Sequence, residues 1–163
     1  MTISDYILSA IFIALIFRQI HDRRLTAKGM LIPVAIVAVA ANRYLHAIPT
    51  AGNDLILVIA ALILGAGLGC ASALATSVRP GPDGAPVARA GAAAVILWIL
   101  GTGSRLVFGL YATNGGAHTI ATVSKTLAIT GRAWAPALIL MALAEVISRY
   151  GTLALRALTV STR

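Results

Sequence analysis

Four charged residues, Asp5, Arg43, Arg105 and Glu145, each stand in or at the end of a long apolar stretch. A charge at membrane depth costs roughly 3 kcal/mol on insertion scales, so it faces a bundle interior with a partner or water beside it. The chain holds five acidic residues against thirteen Lys and Arg. Asp22 falls among arginines, and Asp83 falls in the turn sequence Arg79-Pro-Gly-Pro-Asp-Gly-Ala-Pro, so both read as solvated loop residues. Three carboxylates remain for proton transfer or ion pairing: Asp5, Asp54 and Glu145.

Asp5 stands about one turn into the first apolar stretch and shares a helical face with Ser9, Phe12, Ile16 and Gln19. It is either a residue of a helix start or an acid facing the bundle, placed to donate a proton. Asp54 follows Gly52-Asn53 and opens the third stretch, where capping and dipole compensation are its simplest roles. Glu145 lies near the middle of the fifth stretch, with Arg149 four residues on, the favourable order for an ion pair along a helix. Proton transfer or substrate binding is the competing role.

Arg43, with His46 close behind it, and Arg105 both fall in the outer half of their stretches. Two arginines at matching depth repel unless they share an anion. That anion is Asp5, Asp54, or a ligand phosphate or carboxylate held bidentately. Trp98, Thr102, Arg105 and Phe108 lie on one helical face, joining aromatic to cationic surface. Asp5, Arg43 and Arg105 are thus expected to share an outer pocket, with Glu145 deeper.

The elements that carry these residues follow from composition. The chain of 163 residues is 59% hydrophobic and 11% charged, with a mean hydropathy of +0.91; a soluble domain carries about 25% charge. A span needs about 20 residues at ~1.5 Å each. Five stretches qualify, at about 3–20, 30–48, 55–76, 90–113 and 133–155, within a single domain covering 1–163. Residues 117–130 fit an interfacial or re-entrant helix better than a sixth span, which would carry Lys125 near its centre.

Arg18, Arg23, Arg24, Lys28, Arg79, Arg89, Arg149, Arg156 and Arg163 share one side if there are five spans. The positive-inside rule then puts the N-terminus outside and the C-terminus inside. A net charge of +8 would suggest nucleic acid in a soluble protein. Here the cations lie between apolar stretches, so nucleic-acid binding is not expected and the partner is the bilayer. The N-terminus lacks the basic region and cleavage site of a signal peptide, so the first stretch is expected to remain.

Gly65-x-x-x-Gly69 reads as a close-packing helix face, and Cys70 beside it as a small packing residue. One thiol cannot form an intramolecular disulfide, which excludes a self-contained dithiol oxidoreductase. His21, His46 and His118 have no ligand spacing, so no metal site is expected. No phosphate loop, dinucleotide fingerprint or nucleophile elbow occurs, and no cofactor is expected.

The first stretch ends Phe17-Arg18-Gln-Ile-His-Asp-Arg-Arg, and the second is entered by Lys28-Gly-Met-Leu-Ile-Pro33. With Trp98 and Arg105 in the fourth, and Trp134 and Ser148-Arg149 in the fifth, the chain resembles the small bacterial membrane proteins grouped around the CcdC cytochrome c biogenesis factor. That resemblance implies a non-catalytic accessory or assembly role with internal ion pairs. A weaker similarity is to small membrane-bound terpene cyclases of high-GC bacteria. It implies an isoprenoid entering from the bilayer and an acid, Asp5 or Glu145, protonating an alkene or epoxide. Phe12, Trp98, Phe108, Tyr111 or Trp134 would then face carbocations.

The expected fold is all-α, an integral membrane bundle of about five helices. The expected function is general acid catalysis on a lipid-soluble, isoprenoid-like substrate, with Asp5 and Glu145 catalytic. Arg43, His46, Asp54, Trp98, Arg105, Phe108, Tyr111 and Trp134 would contact that substrate. The alternatives are the CcdC-like accessory role and a small transporter with Glu145 as a proton relay.

Overall fold

Helices form in this chain where Ala, Leu and Ile run unbroken, and they stop where Gly, Pro and Asn gather. The computed structural model describes residues 23–44, 50–81, 83 and 85–161. In chain order these form strand β1 (Arg23–Arg24), helix α1 (Ala27–Tyr44), helix α2 (Asp54–Leu74), and strands β2 (Thr76–Pro80) and β3 (Pro86–Ala90). Helix α3 (Ala92–Thr113), helix α4 (Ala117–Thr126), a 3-10 turn (Gly131–Ala133) and helix α5 (Trp134–Ser161) follow. The expected first span, about 3–20, lies outside the described residues, as do Asp5 and His46.

Most of the described chain is helical. Three segments are long and apolar enough to cross a membrane: Asp54–Leu74, Ala92–Thr113 and Gly131–Val160. At ~1.5 Å per residue the shortest, of 21 residues, extends about 31 Å, the thickness of a hydrocarbon core. The expected interfacial stretch, about 117–130, contains α4.

The all-α expectation is corrected by a three-stranded antiparallel sheet in the order β1-β3-β2. The Pro–Gly turn that separates two apolar stretches is the loop of a hairpin, closed by Gly81 N–H donating to the Ala85 carbonyl at 2.8 Å. Thr76 pairs with Ala90, Val78 with Ala88 and Pro80 with Pro86. Both prolines stand at strand ends, where a missing N–H costs the ladder least. Asp83 is ion-paired with Arg24 of β1, and both side chains stay exposed.

Helices α2 and α5 lie side by side and run parallel, offset by 76 residues. Asp54 meets Thr130 at one end, and Gly65 and Gly69 face Met141 and Glu145 further along. A Cβ on Gly65 would run into the Met141 carbonyl, and one on Gly69 into the Glu145 carbonyl and Ser148 Oγ. The expected small-residue face therefore packs backbone against backbone, as in membrane helix pairs. Helix α3 runs antiparallel to both. Ser72 Oγ donates to the Ala94 carbonyl at 3.2 Å near the sheet, and Phe108 meets Trp134 at the far end.

The interior is built of small side chains, among them Ala73, Ala94, Ala133 and Ala137, while Ile56, Ile63, Val107 and Leu155 are exposed. Arg156 of α5 closes the C-terminal end of α2. Its Nη1 donates to the carbonyls of Ala73 and Thr76, each at 2.6 Å. A helix end leaves such carbonyls without intrahelical partners, and a cation there also complements the helix dipole.

Candidate functional site

The residues singled out in α3 and α5 recur at helical spacing. Gly101, Arg105 and Phe108 follow one face of α3, and Trp134, Met141, Glu145 and Ser148 follow one face of α5. The antiparallel packing of these faces brings Arg105 to Glu145. Arg105 Nη1 donates to Glu145 Oε2 at 2.6 Å, with 17% of the arginine side chain and 5% of the glutamate exposed. This is a short, charge-assisted bond.

Gly101 makes room for it. A Cβ at that position would stand 2.5 Å from Oε1 and 2.7 Å from Oε2 of Glu145. The carboxylate thus lies against the α3 backbone on one side and the guanidinium on the other. The pair also changes the expected geometry. Arg105 and Glu145 stand at one level of the bundle, rather than with Glu145 deeper as expected; Asp5, the other expected neighbour of Arg105, lies outside the described residues. Arg149 lies one turn further along α5.

Toward the start of α5, Phe108, which follows Arg105 by about one turn on α3, stacks on Trp134 with ring centroids 5.0 Å apart and planes 28° apart. Trp134 Nε1–H donates to the buried Ser124 Oγ of α4 at 2.9 Å, so the indole is fixed at both its face and its polar edge. Trp98 is half-buried on α3, nearer the sheet, and Tyr111 is exposed at the opposite end, against Gly116. Arg43 lies in the last turn of α1.

Asp54 is fully buried at the first turn of α2. Thr130 N–H donates to its Oδ1 at 2.6 Å and Thr130 Oγ1–H to its Oδ2 at 2.7 Å, so each oxygen already accepts a hydrogen bond. Asn53 adds to the same junction, donating through Nδ2 to Leu127 O at 2.8 Å and through its backbone N–H to Ala128 O at 2.9 Å. Gly52 has a φ of 55°, and a Cβ there would strike the Ala128 carbonyl. The carboxylate therefore ties the start of α2 to the segment that leads into α5.

A cleft of about 410 Å³ opens beside α4, lined by Ala112, Ile120, Ser124, Lys125 and Ile129 among others. Its lining holds one ionisable side chain, Lys125, and no carboxylate. Ser124 connects it to the Phe108–Trp134 stack. Among the described residues, no three of His, Cys, Asp and Glu come together as a metal site.

The structure brings together Arg105 with Glu145 and Phe108 with Trp134, and it sets Asp54 apart at the end of the bundle. Sequence reasoning missed Gly101, Thr130, Ser124 and the capping role of Arg156. Gly101 had a usable signal, since it precedes Arg105 by one helical turn on the same face. Comparison with protein-family models, curated proteins and solved structures gives no match.

Proposed function

We propose that the chain is an integral membrane bundle, N-terminus outside and C-terminus inside, that serves as a non-catalytic accessory or assembly protein. In this reading the intramembrane charges hold its helices in register. The observation that carries it is the Arg105–Glu145 pair closed by Gly101. Glu145 is engaged with Arg105 across the α3–α5 contact, and it is not among the residues that line the cleft beside α4. Asp54 likewise accepts two hydrogen bonds from Thr130. The outward aliphatic side chains and the small-residue interior support the bilayer as solvent.

A second reading is favoured by one arrangement, the stacked Phe108–Trp134 pair beside the apolar cleft. There the protein acts on an isoprenoid-like substrate by acid catalysis, with Asp5 rather than Glu145 as the acid. Variants of the ion pair and of Asp5 separate the two. In the first reading Glu145→Gln and Arg105→Gln each lower the melting temperature of the detergent-purified protein. The exchange Arg105→Glu with Glu145→Arg recovers part of the loss. Retained stability in Glu145→Gln, together with loss in Asp5→Asn of a product that the wild type forms from polyprenyl lipid in vesicles, would overturn it.

A further inference from the structure

The sheet presents a cationic face. Arg79 of β2 stands opposite Val87 of β3, Ser77 stands opposite Arg89, and Arg24 of β1 stands opposite Val87 from the other side. Residues directly opposite in antiparallel strands share a face, as do residues two apart along a strand. Arg24, Arg79 and Arg89 therefore share one face, and all three are exposed. The opposite face carries Thr76 and Ala88, both buried. With strands about 4.8 Å apart, Arg24 and Arg79 flank Val87 at backbone positions about 10 Å from each other, and Arg89 lies about 7 Å along β3. Asp83 offsets one of these charges through its exposed pair with Arg24. An exposed pair of this kind contributes little.

Aliphatic surface adjoins this end of the bundle. Leu74 ends α2 immediately before β2, and Leu155 and Leu158 lie near the end of α5; all three are strongly exposed. Arg156, between the two α5 leucines, is bonded to the carbonyls of Ala73 and Thr76, which fixes these elements at one end of the molecule. Guanidinium groups and exposed leucines at the same end of the bundle match an amphiphile with an anionic head, whereas a free anion would use only the arginines.

We propose that the outer face of the sheet binds the phosphate headgroup of an anionic phospholipid, its acyl chains lying along Leu74, Leu155 and Leu158. Arginine suits this role because its planar fork meets phosphate oxygens in pairs. The proposal rests on α2, α3 and α5 crossing the bilayer, so that the sheet stands at the headgroup level. It is independent of any role for the Arg105–Glu145 pair.

The test uses the full chain in detergent, exposed to equal amounts of phosphatidylglycerol and phosphatidylcholine, with retained lipid read by native mass spectrometry. The wild type is expected to retain phosphatidylglycerol preferentially. Arg79→Gln with Arg89→Gln should weaken that retention on the order of tenfold, the scale of removing two cations beside an anionic surface. Lys125→Gln with Arg132→Gln removes the same charge at the opposite end and should leave retention unchanged. Equal retention of the two lipids by the wild type, or equal losses in both double variants, overturns the proposal. Displacement of the lipid by inorganic phosphate alone also overturns it, in favour of a free-anion site. Raising the salt on the wild type must weaken retention, and an insensitive complex contradicts the headgroup contact without any variant. Flotation of each protein with neutral vesicles reads membrane insertion separately, so a failure of the span reading is distinguishable.

Discussion

At Gly101 the missing side chain is what lets the Glu145 carboxylate reach Arg105, since a Cβ would overlap both carboxylate oxygens. Gly101→Ala should therefore act through the ion pair rather than through helix propensity, where Ala is the better residue by about 1 kcal/mol. Separating a buried pair leaves an uncompensated charge, which costs about 3–5 kcal/mol. Gly101→Ala and Glu145→Gln are each expected to lower the unfolding free energy by about 2–4 kcal/mol in detergent. The double variant should lose much less than the sum, because both changes remove one interaction. Additive losses in thermal or denaturant unfolding would separate Gly101 from the pair. The sequence marks Arg105 and Glu145 as charges in apolar surroundings. Its local patterns pair Glu145 with Arg149, because spacing along a helix is readable and contact between helices is not. Their meeting depends on α3 running antiparallel beside α5, and helix order and tilt leave no local trace.

Helix α2 is fastened at both ends by residues distant in sequence, and the fastenings differ in kind. At its start Thr130 satisfies Asp54, and at its end Arg156 satisfies carbonyls that the helix itself leaves open. Hydrogen bonds to a charged group are worth about 1.5–3 kcal/mol. Arg156→Gln should accordingly destabilise by about 2 kcal/mol and speed amide exchange at the end of α2 and in β2. Thr130→Val keeps the backbone donor but removes the hydroxyl, so its effect should be about 1–2 kcal/mol and confined to the start of α2. Hydrogen exchange resolved along the chain checks both, and acceleration spread evenly over α2 would contradict local fastening. The helices themselves are legible in sequence: apolar stretches at about 55–76, 90–113 and 133–155 coincide with Asp54–Leu74, Ala92–Thr113 and Trp134–Ser161 to within two residues, except that the last helix runs six residues further. The small sheet is not. Its longer strands have five residues each, and the alternation of Thr76, Val78 and Pro80 against Ser77 and Arg79 is too short to outweigh a Pro–Gly turn signal. Thr130 carries no signal, because a lone threonine after a helix shows its partner only once the chain has folded back.

At the scale of the whole molecule, parallel α2 and α5 require the chain between them to return from one end of the bundle to the other. Helix α3 makes that return, with the sheet at its start and α4 at its end. The hairpin residue Asp83 and the α4 residue Lys125, both exposed, therefore stand at opposite ends. The proposed orientation puts the arginine-rich sheet inside and α4 outside, by the bias of positive charge toward the cytoplasm. Cysteine labelling with a membrane-impermeant maleimide tests this in a Cys70→Ser background, where serine can still accept the hydrogen bond that Thr152 gives to the thiol. Lys125→Cys is expected to label in intact cells and Asp83→Cys only after lysis. The reverse pattern would overturn the orientation and leave the bundle intact, because charge bias and helix packing are separate arguments. Labelling of both positions from the same side would mean that α3 does not cross. The Arg105–Glu145 pair would keep its burial between α3 and α5, whereas the outward side chains of Ile56, Ile63, Val107 and Leu155 would face water as an apolar surface that only a further partner could cover.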